Sequence, residues 1–270
     1  MEIDKKEIRQ FQKKILDWYA KHLRDFPWRR DRNPYHILIS EVMSQQTQIN
    51  RVVPKYEAWL EQFPTVDALA AAKVSDVLAA WSGLGYNRRA LFLKKAAEAI
   101  VQTYDGKFPQ DEKSLRNLPG IGEYTARALL CFAFDTQIAV VDTNVRKVIL
   151  VEFPDVNDTV KEIQLVAEQL LPHGRAYEWN QALMDYSSAM LKQEKIPIPK
   201  QSKFHGSHRY YRGQILKQLL QQKTIAVKDM GRLIKKEYTS TDELWLQKLL
   251  EELTTEGFVV ISNGSVELSS

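Results

Sequence analysis

Apolar residues recur at alternating steps of three and four in the first segment: Ile8, Phe11, Ile15 and Trp18, with lysines and glutamines between them. Such spacing lines one face of a helix. Pro27 and Pro34 then break the pattern, and Asn33 suits an N-cap with Pro34 in the first turn, so a helix is predicted over 34–50. The same period predicts helices over 52–63, 74–81, 88–103, 112–118, 124–134, 160–171 and 178–191. The run Ile138-Ala139-Val140-Val141 is rich in β-branched residues, but Asp142 follows it and caps a further helix reaching 151. No alternating pattern of useful length occurs before 255, so the main body, 1–194, is predicted to be all-α.

Prolines and lysines mark 195–208 as a basic linker. Beyond it, in 209–270, Ile215, Leu219 and Leu220 indicate one helix, Met230 to Ile234 a second and Leu244 to Leu253 a third. Alternating positions then flank Asn263-Gly264, a strong hairpin signal. Three helices followed by a two-stranded hairpin is the order of a winged-helix module.

With 270 residues, 44% hydrophobic and 27% charged, the chain has ordinary globular composition. The net charge of +4 is too mild to define a partner. Its distribution says more: 195–228 holds no Asp or Glu but carries Lys195, Lys200, Lys203, Arg209, Arg212, Lys217, Lys223 and Lys228, with His205, His208, Tyr210 and Tyr211 among them. That run reads either as a solvated linker or as a polyphosphate contact. Cys131 is the only cysteine, which excludes a disulfide framework and a thiolate metal site within one chain. With neither an apolar leader nor a run of membrane-spanning length, the expected location is the cytoplasm.

Three features carry candidate chemistry. Leu118-Pro119-Gly120-Ile121-Gly122 lies between two predicted helices. Its glycines allow a tight turn, and the next helix begins with unsatisfied N–H groups suited to a phosphate oxygen. A tight corner without a ligand is the plainer alternative. Glu41 sits in a helix that reads as buried on most sides, where desolvation would raise its pKa and keep it a proton donor near neutrality; the alternative is a solvent-facing stripe. Asp142, as an N-cap, receives backbone N–H groups and the favourable end of the helix dipole, so it is expected to stay ionised, whether as a structural cap or as a working anion. One carboxyl held as acid and another as anion is the division of labour by which glycosidic bonds are cleaved.

Residues 10–190 resemble the MutY branch of the endonuclease III superfamily of DNA glycosylases. The matching blocks are FPWR with NPYHILISEVMSQQTQ, FPTVDALAAA, WSGLGY, LPGIGEYTARA and VVDTNVRKV. The resemblance implies a mainly α, two-lobed helix-hairpin-helix glycosylase fold with DNA in the cleft between lobes, followed by the small winged-helix-like domain. Glu41 would then protonate the purine and Asp142 stabilise the cationic sugar. Tyr124 stands where bifunctional relatives place a lysine; a phenol forms no Schiff base, so the implied enzyme is monofunctional. Gln46 and Thr47 match residues that enter the base stack, and Leu84 and Tyr86 match a wedge near the flipped nucleotide. Gly120 and Gly122 match the hairpin's DNA contact. Arg24, Trp28 and Arg29 match the rim of the base pocket, and Asn144 a sugar-side contact.

Three departures stand out. Ser187, Ser188 and a lysine-rich segment occupy the place where relatives carry four cysteines for an iron-sulfur cluster, so no cluster is expected, although the hairpin remains compatible with a monovalent ion. The module of 209–270 stands where the family carries a larger domain that recognises 8-oxoguanine. Ser44 replaces a larger apolar residue. The implied activity is base excision of adenine opposite 8-oxoguanine or guanine, by a monomer on duplex DNA, away from membranes, and on the nucleoid in a bacterium or archaeon. Thymine or uracil opposite guanine is the alternative substrate, and a non-catalytic DNA-binding module the alternative of another class.

Overall fold

The computed structural model describes residues 2–197 and 202–269. Lys200 and the adjoining part of the predicted linker lie outside the described residues. In chain order the helices are α1 (Lys5–His22), α2 (Pro34–Ser44), α3 (Ile49–Gln62), α4 (Val66–Ala71), α5 (Val74–Trp81), α6 (Arg88–Tyr104), α7 (Glu112–Asn117), α8 (Glu123–Phe132), α9 (Thr143–Glu152), α10 (Val160–Leu170) and α11 (Ala176–Met190). They are followed by α12 (His208–Gln222), strand β1 (Thr224–Ala226), α13 (Val227–Ile234), α14 (Glu243–Glu256) and strands β2 (Val259–Ser262) and β3 (Ser265–Leu268).

Two differences from the sequence pattern matter. The helix expected over 34–50 stops at Ser44, because Gln46 takes a left-handed backbone with φ of 54° and the next helix starts afresh at Ile49. A strand, β1, also lies before residue 255; three residues are too few to show a period of two.

The chain forms two compact units, Met1–Gln46 with Lys107–Ile198, and Thr47–Gly106 with Pro199–Ser270. In the first, α1, α9, α10 and α11 share a core of Phe11, Ile15, Val148, Ile149, Val166, Leu170 and Trp179. Phe11 meets Phe153 edge-on at 5.2 Å and Trp179 at 5.7 Å. Full burial of one such side chain contributes roughly 1.5–3 kcal/mol. In the same unit α2 packs on α8, which sets the helix bearing Glu41 against the helix bearing Tyr124.

The second unit packs α4 and α5 on α6 around Trp59, Trp81 and Ile100. Its C-terminal part is a three-stranded antiparallel sheet in the order β1-β3-β2, with α12 and α13 on β1 and α14 on β2. The turn joining β2 to β3 puts Asn263 at φ 49° and Gly264 at φ 72°, the paired left-handed conformation that tight hairpins require. Helix, strand, two helices and a hairpin in this order make the segment winged-helix-like.

Candidate active site

Helix α2 is apolar on nearly every face: Ile37, Leu38, Ile39, Ser40, Val42 and Met43 are all buried. The half-buried Glu41 accepts a 2.6 Å hydrogen bond from the Tyr124 hydroxyl on α8. Burial is the dominant influence and pushes the Glu41 carboxyl up to about 7, with the Asp142 charge adding to the rise. The Tyr124 hydrogen bond and the Arg29 charge pull the other way. A carboxyl balanced in this way is populated in both acid and anion forms near neutrality. Tyr124 itself is raised well above 10, by burial and by the charges of Glu41 and Asp142, so it serves Glu41 as a neutral donor.

Asp142 is the N-cap of α9. Its Oδ1 accepts from the Val145 amide at 2.8 Å, and its Oδ2 from the Asn144 side chain at 2.7 Å. The cap geometry is as expected, but the electrostatics differ: burial raises the Asp142 carboxyl despite those hydrogen bonds. The cap reading counted the donors that favour the anion and left out the burial that opposes them. Glu41, Tyr124, Asp142 and Asn144 thus form one connected polar group in the first unit, joined by hydrogen bonds and by charge.

Arg24, Trp28 and Arg29 follow α1 in the same unit. Arg29 donates to both oxygens of Asp185 at 2.8 and 3.0 Å, and Arg24 donates to Oδ1 through its Nε at 2.8 Å and through Nη2. Burial alone would raise the Asp185 carboxyl; the hydrogen bonds and charges of Arg29 and Arg24 overcome it and hold the group below the usual carboxylate range. The two guanidinium groups lie about 5 Å from the Phe26 ring, which stacks on Trp28 at 4.9 Å. Asp185 was missed at the sequence level. Its signal was a carboxylate within the apolar run Ala182-Leu183-Met184-Asp185-Tyr186, where only a cation pair makes burial tolerable.

Asn180 was also missed. It is fully buried, accepts from the Val140 amide at 2.8 Å and donates to the carbonyls of Ile138 and Ala176 at 3.0 and 2.8 Å. It pins the extended segment that delivers Asp142, and it reaches Cys131 Sγ at 3.3 Å. Cys131 is buried in α8, which pushes its thiol up to about 12.

The glycine hairpin lies between α7 and α8. Gly120 has φ of 76°, whereas Gly122, the N-cap of α8, has φ of −86° and open space where a Cβ would stand. Only Gly120 is required by backbone conformation; at Gly122 the missing side chain leaves the start of α8 open to approach.

In the second unit, the loop between α5 and α6 is fastened through its carbonyls. Trp81 Nε1 donates to Gly85 at 2.9 Å, Arg89 to Leu84 and Gly85, and Arg51 to Gly83. Arg89, unmarked in the sequence reading, also donates to Thr47 Oγ1 at 3.2 Å. Burial lowers its guanidinium to about 10. The pair matched to a wedge divides: Tyr86 is exposed at a left-handed φ of 50°, while Leu84 is only 4% exposed and is a core residue of this structure. Gln46, in the first unit, is likewise exposed with a left-handed backbone, the kind of strain that collects at contact residues. Among the described residues no three His, Cys, Asp or Glu side chains converge as a metal would need, and no helix is long and apolar enough to cross a membrane.

A helical scaffold with a glycine hairpin thus carries a partly buried acid coupled to a capping aspartate. Residues 39–173 match the model of the HhH-GPD superfamily of base excision DNA repair proteins, and the chain belongs to that family. It is 43% identical over 180 residues to an adenine DNA glycosylase of Mycolicibacterium smegmatis, covering 65% of this chain and 61% of that one. With the human adenine DNA glycosylase it shares 36% identity over 201 residues, 69% of this chain and 37% of the human one. The chain therefore spans less than two thirds of the length of these relatives, 61% of the mycobacterial and 37% of the human one. Among solved structures, a thermostable thymine-DNA glycosylase superposes with a TM-score of 0.65 at 31% identity, over 70% of this chain and 90% of that one.

Proposed function

We propose that this chain is a monofunctional DNA glycosylase that hydrolyses the bond between deoxyribose and an adenine mispaired with 8-oxoguanine or guanine. The observation that carries the reading is the part-buried Glu41–Tyr124 contact under the influence of Asp142. A flipped adenine would take the Glu41 proton on a ring nitrogen, and the electron pair of the glycosidic bond would leave with the base. Asp142, held by Val145 and Asn144, would face the resulting sugar cation until water adds to the sugar carbon and passes its proton to that carboxylate and on to solvent.

With a phenol at Tyr124, no amine there attacks the sugar, and the product is an intact strand with an abasic site. Asp185 fixes the two arginines of the pocket rim. Cys131, buried and hydrogen-bonded to Asn180, supports a reading without a thiolate-bound cluster. The names of the mycobacterial and human relatives favour adenine. The thymine-DNA glycosylase, matched over most of its length, makes thymine the alternative to be tested. The protein is offered duplexes with A opposite 8-oxoguanine, A opposite G, T opposite G and U opposite G. Alkali-labile sites are expected in the first two; excision of the pyrimidines alone would overturn adenine, and no excision would favour a binding module.

A further inference from the structure

The C-terminal winged-helix-like segment has its charges sorted by face. Helix α14 is the third helix, the position that enters the major groove in winged-helix readers of duplex DNA. Here it is acidic: Glu243, Glu251, Glu252 and Glu256 against one Lys248. Two of those carboxylates face α12, where Glu252 meets His208 at 2.8 Å and Arg212 at 3.2 Å, and Glu256 meets Arg212 at 2.8 Å. The Arg212 cation on the inner face of α12 is therefore neutralised within the module, and α14 repels a polyphosphate.

The outer side of α12 is different. Tyr210, Gln214, Lys217 and Gln221 follow one another at helical spacing, opposite the buried Ile215 and Leu219. Just before the helix stand the exposed Lys203, Phe204 and His205. Phe204 is 51% exposed, and its ring meets Tyr210 at 5.6 Å and His205 at 5.7 Å at steep angles, while the Arg209 guanidinium lies 5.8 Å from its centre. His205 and Tyr210 are 5.3 Å apart. Among the described residues, no carboxylate pairs with Lys203 or Lys217. Exposed rings interleaved with cations are what an unpaired base and its phosphates need: a π-face to stack on and positive charge along the backbone. A duplex shields its base faces and would leave Phe204 without a partner.

From this sorting we infer that the Lys203-Phe204-His205 segment and the outer face of α12 form a binding surface for single-stranded DNA, distinct from the Glu41 group. It does not depend on the excision chemistry and is measured by binding.

Fluorescence anisotropy with a labelled oligothymidylate and a matched duplex, across a salt series, tests it on the full chain. Phe204→Ala is expected to weaken oligothymidylate binding about 5- to 100-fold. Lys203→Ala with Lys217→Ala should make the slope of log affinity against log salt shallower by about 1.4. Thermal melting checks that each variant is folded, and Lys248→Ala on α14 should bind as the parent does. Unchanged oligothymidylate binding in the Phe204 and lysine variants, or no binding by the parent at low salt, would overturn the proposal. Equal losses for the duplex would overturn its assignment to single strands.

Discussion

The Glu41 carboxyl is a side chain held against its own preference. Its folded pKa of about 7 stands above the ordinary value of 4.5, chiefly through burial. A group raised in this way favours folding at low pH and loses that contribution as pH climbs through 7. Glu41→Gln should therefore match the parent in thermal stability near pH 4 and exceed it at pH 8, by up to roughly 3 kcal/mol. The same variant should lose excision by about 100-fold or more while still binding the mispaired duplex. A parent that melts identically to the variant at both pH values would remove the burial argument. Tyr124 acts in the opposite sense, because its hydroxyl favours the charged form of Glu41. In Tyr124→Phe the alkaline limb of the excision profile should move to higher pH; a shift to lower pH would mean that the phenol supports the acid form instead.

At the scale of elements, the hairpin offers a contrast between two glycines. Gly120→Ala places a side chain at φ 76° and should destabilise the protein by about 1–2 kcal/mol. Gly122→Ala meets open space at φ −86° and should cost less, about 0.5 kcal/mol for the poorer N-cap. If the start of α8 takes a phosphate, Gly122→Ala should still weaken DNA binding several-fold, and unchanged affinity would reduce the hairpin to a corner. Long helices were legible from spacing because each buries a broad apolar stripe, as α1, α6 and α9 do. The break after Ser44 was not, since Gln45 and Gln46 are compatible with helix and only tertiary context turns Gln46 left-handed. The short α4 was passed over as a family block, although Thr65 caps it from its side chain.

For the molecule as a whole, linear reading divided the chain at 194, whereas 47–106 and the C-terminal segment share one compact unit. Contacts such as Lys95 Nζ to the Glu256 carbonyl at 3.0 Å, distant in sequence, leave no local signal. The settings of the two acids were legible, a carboxylate in an apolar helix and an aspartate at a helix start, but their joint role was implied only by the family resemblance. Asp185 and Asn180 were harder, since their meaning lies in partners from remote segments. The electrostatics of Asp142 could not be read from its cap alone, because burial depends on everything packed around it.

A carbon-13 titration of the glutamate and aspartate carboxyls between pH 4 and 9, on the parent and on Glu41→Gln, tests the acid at the centre of this account. One carboxyl resonance should titrate near pH 7 in the parent and be missing from the variant. Complete ionisation of every carboxyl below about pH 5 would contradict it.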